Sequence, residues 1–414
     1  MQRFLRVMML KEARSKLEGH WQPRPRVVDL ALNEAAGRVL AEAIRSKIDI
    51  PPFDRATYDG YALRAADTFG AEEGKPVGLS RVGEIRAGDN PKIKLADHEC
   101  VEIATGAPIP EGADAVVMVE YSNASGDMVE IHRSAAPGEN VTKRGSEIKC
   151  GAEVLGLGRA LTSSAIGVLA AVGVQRVKVH ASPRVAVISS GAELAKPGSN
   201  LEPGQVYDIN GLTIPDAVRQ SGGEPTYLGI AGDEVSGIKD LVEEGLSGYD
   251  IVVISGGSSA GAGDLVPEAI DGLGEPGVLV HGIAMKPGKP TLVAVVRNKP
   301  VFGLPGYPVS ALMVFDQLVA PYLRQLAGLQ PRERETVRAK LTAKILSARG
   351  RNEFVPVRLR REGGGFSAAP IRKGSGAITS LAEADGYISV PVEDEIVDEG
   401  ATIEVALFGG VELA

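Results

Sequence analysis

Hydrophobic patterning divides the chain into regions of different character. Between Arg184 and about residue 328, short apolar runs alternate with stretches whose apolar positions recur at helical spacing. RVAVISS, TYLGIA, DIVVISG, VLVHGIAM and PVFGL, with TLVAVV as an extra run, are short and rich in β-branched residues, which predicts strands buried on both faces. GLTIPDAVRQSG, VSGIKDLVEEGL, LVPEAIDGL and PVSALMVFDQLVAPYLRQLAG predict the helices between them. Such alternation predicts an open α/β domain with a mostly parallel sheet over 182–330.

Elsewhere the pattern changes. Residues 1–45 read as helical, first in LKEARSKLEGH and again in DLALNEAAGRVLAEAIR. In the second segment Leu30, Ala31, Ala35, Val39 and Leu40 share a helical face, and Asp29 and Asn33 offer N-caps. From Pro51, dense turn formers and the runs GLSRVGEIRAGD, ECVEIATGAPIPEGADAVVMVE and DMVEIHRSA predict a small β domain over 51–145. Between 146 and 181, TSSAIGVLAAVG predicts a helix capped by Thr162 or Ser163, and VQRVKVHA a strand. Beyond 331, TVRAKLTAKI, NEFVPVRLRREGGGFSAAPI, DGYISVPVE and ATIEVALFG alternate like strands joined by Gly-rich turns.

Composition narrows the function classes. The chain has 414 residues, 44% of them hydrophobic and 24% charged, an ordinary globular balance with room for about two to four domains. A net charge of −8 argues against a nucleic-acid partner. The two cysteines, Cys100 and Cys150, form no CxxC and cannot make a zinc cluster alone, so buried or free thiols in a reducing compartment are expected. The apolar start is too short for a secretory signal, and Ala165 to Val174 is too short to span a bilayer. The expectation is a cytoplasmic protein with no membrane partner.

Ligands on open α/β sheets bind outside the carboxyl ends of the strands. After the first strand come Gly191 and Glu193, in SSGAELAKPG, and after the second Gly232 and Asp233, in AGDE. After the third comes SGGSSAGAGD, with Gly256, Gly257 and Ser258, ending at Asp264. After the fourth comes MKPGKP, with Lys286 and Lys289, and after the last GLPGYPVS, with Pro305, Pro308 and Ser310. Glycines let backbone approach a ligand, and a helix start offers free N–H groups to an anion. Read alone, Asp264 is an ordinary N-cap, with Pro267 tolerated in the first turn. Read together, three carboxylates and two lysines on one rim suit a phosphate-bearing ligand bridged by Mg²⁺, with the lysines as point charges for an oxyanion. The stretch from Gly282 to Lys289 has the wrong spacing for a Walker loop and Pro290 where Ser or Thr is needed, and no GxGxxG occurs. In the β domain, Asp59 in YDGYALR and Thr105 in ATGAPIPEGADAVV each read, alone, as turn residues.

PPFDRATYDGYALR, ATGAPIPEGADAVV, SGGSSAGAGD, MKPGKP and GLPGYPVSAL, in that order and spacing, resemble the molybdopterin molybdenumtransferases, the MoeA and gephyrin E-domain family. The resemblance covers nearly the whole chain. It implies a multidomain α/β plus β fold. Residues 1–50 with 146–181 would form an elongated helical and mixed dimerisation region, and 51–145 an inserted β domain. Residues 182–330 would form a molybdopterin-binding domain similar to the adenylyltransferases (MogA-like), and 331–414 a C-terminal β barrel. It further implies a homodimer whose active sites lie between the α/β and C-terminal domains of one subunit and the β domain of the other.

The implied reaction inserts molybdate into the dithiolene of adenylylated molybdopterin, with Mg²⁺-dependent hydrolysis of the phosphoanhydride and release of AMP. By resemblance, Lys286, Lys289, Arg351 and Ser375 match positions that hold an oxyanion. Glu193, Asp233 and Asp264 would surround Mg²⁺ and the pyrophosphate-like link. Asp59 and Thr105 would arrive from the partner subunit, with Asp59 acting as a base or orienting water. Pro305 and Pro308 would shape the turn before Ser310, and transient contact with a molybdopterin adenylyltransferase is implied. There are departures from the family pattern. Tyr58 stands where Met is usual and Tyr307 where Asn is usual, RGSE places Glu147 where Asp is usual, and SGA from Ser375 to Ala377 replaces an SSR-type turn. They bear on pocket shape and on metal choice. A tungstate-inserting version, an adenylyltransferase and a non-catalytic scaffold of the same fold stand as alternatives.

Overall fold

The computed structural model describes residues 7–257, 265–347, 349–362, 364–374 and 376–408. The chain forms two compact units, Met1–Val28 with His180–Ala414, and Asp29–Val179.

In the first unit, strand Arg184–Ser190 lies between Glu224–Ala231 and Ile251–Ser255, and Ile251–Ser255 in turn pairs with Lys299–Leu304, all in parallel. Leu292–Val296 then joins Lys299–Leu304 antiparallel, and Pro276–His281 joins Leu292–Val296 antiparallel at the edge. Two successive reversals leave Pro276–His281 running with the parallel strands. Its carboxyl end therefore opens on the same rim as theirs. The extra strand TLVAVV is thus one arm of a hairpin turning at Arg297 and Asn298, which both have positive φ, 50° and 60°. Adjacent left-handed residues are the geometry of a tight hairpin turn.

The central strands are apolar over most of their length because both faces are covered. Val185, Val187, Ile251, Val253 and Phe302 face one core, with Ile214 and Val218 from helix Asn210–Gln220. The intervening Ala186, Ile188, Val252, Ile254 and Val301 face the other, with Ile238 and Val242 from helix Val235–Gly248 and Val266 and Ile270 from Leu265–Asp271. Strand periodicity of two feeds both layers. The last predicted helix is helical throughout but changes winding, running Pro308–Val314 as α, Phe315–Val319 as π and Ala320–Leu326 as α.

Helix Leu10–Glu18, expected to belong with 146–181, instead sits on this unit's core. Leu10, Ala13 and Leu17, at helical spacing, are buried with Val185, Leu279 and Val293. The second predicted N-terminal helix does not form. DLALNEAAGRVLAEAIR holds the end of strand Val27–Ala31, a single 3-10 turn at Leu32–Glu34, and strand Ile44–Arg45. Distant partners claim its backbone: Leu32 N–H donates to Gln175 O, Gly37 N–H to Leu161 O, and Leu40 N–H to Arg159 O. Gly37, with φ of 75°, bends the chain to reach them. Leu32, Ala35, Val39 and Leu40 are still buried, so the apolar pattern was satisfied by another fold. Asp29 pairs with Arg176 rather than capping a helix. The helix of 146–181 does form, as Ser163–Ala171, with the Thr162 side chain accepting the Ala165 N–H.

The second unit contains a six-stranded sheet in the order Ala115–Met118, Gly60–Leu63, Glu99–Ile103, Val77–Ile85, Met128–Ile131, Ser122–Ser125. In the C-terminal part of the first unit, five strands close into a barrel. Asn352–Glu362 pairs with Gly365–Pro370 and Gly386–Val390, Thr336–Leu341 pairs with Gly365–Pro370 and Thr402–Leu407, and Gly386–Val390 meets Thr402–Leu407. Leu341, Val357, Ala368, Ile388 and Val405 fill it. Met285–Lys286, from MKPGKP, adds a short parallel ladder to this barrel, with Met285 opposite Asn352 and Lys286 opposite Glu353.

The packing of the first helix is testable. Leu17→Ala removes a fully buried side chain and should destabilise the protein by roughly 2–5 kcal/mol in urea unfolding, the usual cost of a core cavity. A loss below about 0.5 kcal/mol, the range of surface changes, would contradict the packing.

Candidate functional site

The rim of the α/β sheet is built by close backbone contacts. Gly256 N–H, at the end of Ile251–Ser255, donates to Leu304 O at 3.0 Å. Its φ is 98°, and a Cβ there would collide with the Ser190 carbonyl oxygen, so only glycine fits. Gly257, with φ of 61°, packs against Val266 and Ser190. Ser258 and Asp264 lie outside the described residues.

A buried polar network that the sequence did not single out ties this rim together. Asn210 Nδ2 donates to Ser255 Oγ at 2.7 Å and to Gly306 O at 2.8 Å, and Ser255 Oγ donates to Pro305 O at 3.2 Å. The GLPG turn is thereby bolted to the end of strand Ile251–Ser255. Asp208 accepts the Gly211 N–H at 2.9 Å and the Tyr227 hydroxyl at 2.5 Å. Burial, and then the hydrogen bond to Asp208, push the Tyr227 phenol up, so it stays a donor. The signal available was Asp208 two positions before the helix that opens at Asn210, close enough for a short acid to accept a free N–H of the first turn.

Glu193 and Asp233 occupy neighbouring turns on this rim. Ala192 N–H donates to Asp233 Oδ1 at 3.1 Å, and the Glu193 carboxylate folds back over Gly191. Both side chains are exposed. Among the described residues no three His, Cys, Asp or Glu side chains gather as a metal site, and the third expected carboxylate, Asp264, is outside them.

The lysine loop and the barrel border a cleft of about 1000 Å³. Lys286, Lys289, Arg351, Pro305 and Ser310 all line it. Lys289 O accepts the N–H groups of Ile283 and Thr291, and Thr291 Oγ1 donates to Gly288 O at 2.6 Å, so the loop is braced from within. Lys286 Nζ pairs with Glu353 at 2.5 Å. Pro308 is the first residue of its helix, where a missing N–H costs nothing, and Ser310 is buried in the first turn. Tyr307 is 63% exposed, and its ring lies beside Gly376. Ser375 lies outside the described residues. Lys344, Arg372 and Glu353 also line the cleft and were not anticipated. Glu353 reads in the sequence as an ordinary strand residue, and only the ladder to Lys286 reveals it. A second cavity, about 600 Å³, lies against Leu212, Val309 and Phe408 and contains none of the expected site residues.

In the other unit, Thr105 donates twice to one oxygen of Asp59. Its backbone N–H reaches Oδ1 at 2.7 Å and its hydroxyl at 2.9 Å. Gly106, with φ of 80°, makes the turn that aims both donors, and its N–H is held by Ala56 O. The two exposed loops, 46 positions apart, therefore form one constellation. The backbone bond, then the hydroxyl bond, hold the Asp59 carboxyl below the ordinary aspartate range. Because the folded pKa is depressed, this stabilisation is complete above the unfolded aspartate pKa of about 3.9 and is lost as pH falls through the lower folded value. In carboxyl-detected NMR, Asp59 should titrate below that value, and Thr105→Val should move the midpoint part of the way back, since the backbone N–H remains. An unmoved midpoint would show that the hydroxyl bond is absent in solution.

Comparison with known proteins completes the picture. Three family models match in succession: MoeA N-terminal region (domain I and II) over residues 8–173, Probable molybdopterin binding domain over 186–325, and MoeA C-terminal region (domain IV) over 338–408. The Mycobacterium tuberculosis protein named molybdopterin molybdenumtransferase 2 is 36% identical, across 92% of this chain and 95% of its own length. The Staphylococcus aureus molybdopterin molybdenumtransferase is 32% identical, across 96% and 95%. The crystal structure of the molybdopterin biosynthesis MoeA protein from Pyrococcus horikosii aligns with a TM-score of 0.84 and 43% identity, covering 98% of this chain and 100% of that one. With its MoeA fold and relatives of near-equal length, this chain belongs to the molybdopterin molybdenumtransferase family and is a transferase of molybdenum cofactor biosynthesis.

Proposed function

We propose that this transferase inserts molybdate into the dithiolene of adenylylated molybdopterin and hydrolyses the phosphoanhydride to release AMP. The observation that carries this reading is the cleft itself. Lys286, Lys289 and Arg351 come from two parts of the chain, the sheet rim and the barrel, to border one space of about 1000 Å³. Volumes of this size suit a substantial organic ligand, and clustered cations suit an anionic one.

In this reading each residue has a task set by its surroundings. Molybdate is a dianion, and the lysine ammonium groups receive and orient it beside the dithiolene while balancing its charge. Arg351 adds a rigid fork of donors from the barrel side, and Ser375 belongs to the same set. Gly256 and Gly257 let the backbone lie close to the substrate, Pro305 stands in the turn after strand Lys299–Leu304, and Pro308 and Ser310 stand in the first turn of the helix that follows; Ser258 is assigned to the same substrate set. Glu193 and Asp233, with Asp264, would hold Mg²⁺. The oxygen donors of Glu193 and Asp233, on neighbouring turns, suit a hard cation, which when bound would polarise phosphoryl oxygens.

Asp59 and Thr105 of one subunit serve the cleft of the other in a cytoplasmic homodimer. A general base works best with a pKa near the working pH, whereas Thr105 draws the Asp59 pKa down. Asp59 therefore acts by accepting a hydrogen bond from water and orienting it, more than by keeping the proton. The adenylylated substrate comes from a transiently bound molybdopterin adenylyltransferase.

Asp59→Asn should abolish AMP release while sedimentation still shows a dimer; full activity would remove Asp59 from the reaction. Shared sites add a sharper expectation. Asp59→Asn and Lys289→Ala subunits, each inactive alone, should regain activity when mixed and allowed to exchange, because one site of each hybrid is intact. No recovery in verified hybrids would contradict sharing.

A further inference from the structure

The Lys286–Glu353 pair contains a feature that fold and reaction leave unexplained. The Glu353 side chain is 9% exposed, against 47% for Lys286. One carboxylate oxygen meets Lys286 Nζ at 2.5 Å, while Oε2 is buried and finds no partner among the described residues. Two positions earlier, Arg351 Nε is likewise buried and unpartnered among the described residues. Both residues line the oxyanion cleft.

A half-satisfied buried carboxylate is unfavourable, and the barrel does not need one at this place. The ladder that joins the lysine loop to the barrel is made by backbone groups, so any strand residue would maintain it. A carboxylate adds one thing an apolar residue cannot. It restrains the end of a four-carbon stem that would otherwise sample many rotamers.

We propose that Glu353 is a positioning residue for oxyanion binding: by holding Lys286 Nζ at the cleft wall, it preorganises the ammonium for the incoming dianion. This rests on the reading that Lys286 and Lys289 receive molybdate. Preorganisation strengthens binding by reducing what must be ordered when the ligand arrives. The opposing account is simple charge cancellation. In that case, losing the carboxylate would add net positive charge to the cleft and tighten oxyanion binding, so the two accounts predict opposite signs.

The experiment compares wild type, Glu353→Gln, Lys286→Met and the double variant by equilibrium dialysis with molybdate, and separately by molybdate-dependent AMP release. Glu353→Gln should weaken molybdate binding and raise its KM by about tenfold, with kcat at saturating molybdate within about twofold, the signature of lost uniform binding. The double variant should bind no more weakly than Lys286→Met alone, because both changes remove one device. A purely structural role would lower the melting temperature and leave the KM of the folded protein unchanged, which overturns the proposal. Unchanged or tighter binding by Glu353→Gln overturns it also. If that variant does not fold, additive losses in Glu353→Asp and Lys286→Met do the same. Wild-type AMP release with an unaltered Glu353→Gln KM defeats this inference alone, whereas wild type without oxyanion-dependent release defeats the reading beneath it.

Discussion

The two-residue ladder between Met285–Lys286 and Asn352–Glu353 is the constraint on which the cleft depends. It fastens a loop that leaves the sheet rim to the first strand residues beyond Arg351, so the cations of the loop and of the barrel keep a common reference. Other joints reinforce it within the same unit. The Gln317 side chain, in the π-wound part of the long helix, donates to the Tyr387 hydroxyl of the barrel at 2.9 Å, and Arg334 pairs with Asp316. The i→i+5 winding of a π segment re-aims side chains relative to a regular helix, and here Gln317 reaches the barrel while Asp316 reaches the segment that leads into it.

The sheet rim shows the same logic with buried hydrogen bonds. Asn210 Nδ2, Ser255 Oγ and the carbonyls of Pro305 and Gly306 form a linked set that fixes where the GLPG turn stands, while Asn210 Oδ1 is buried with no partner among the described residues. Such networks are favourable only when nearly complete, and they specify one arrangement because a shifted one leaves polar atoms unpaired. The short ladder of Leu194–Ala195 with Val206–Tyr207 delivers Asp208 to its partners, and the same segment carries Glu193. Structural and candidate chemical residues therefore alternate along one stretch of chain.

Patterns confined to one element were legible in the sequence, and patterns needing a partner were not. The runs RVAVISS and DIVVISG gave their strands away because burial on two faces forces continuous apolar residues. DLALNEAAGRVLAEAIR misled because its apolar spacing suits a helix, while the N–H groups of Leu32, Gly37, Leu40 and Ala41 bond to residues between 159 and 178. Non-local pairing outweighs propensity there. Arg297 and Asn298 hid a hairpin because neither is the glycine that usually marks a left-handed turn. Asp59 and Thr105 each looked like turn residues, and only folding shows that they share a hydrogen bond. Lys286 and Lys289 were singled out by the rim argument and the family motifs, Arg351 by the resemblance alone, and the three border one cleft. Glu353 was missed because a carboxylate in a strand carries no signal until its lysine is seen opposite.

The central claim is that this transferase couples oxyanion insertion to cleavage of the adenylylated substrate. The most direct test is AMP release from adenylylated molybdopterin with Mg²⁺, titrating molybdate and tungstate separately and assaying the pterin product for metal. The account predicts AMP release that depends on molybdate and a metal-loaded pterin formed with it; tungstate acting instead would keep the reaction and change its metal. No release with either oxyanion, from protein shown to be folded and dimeric, would contradict it.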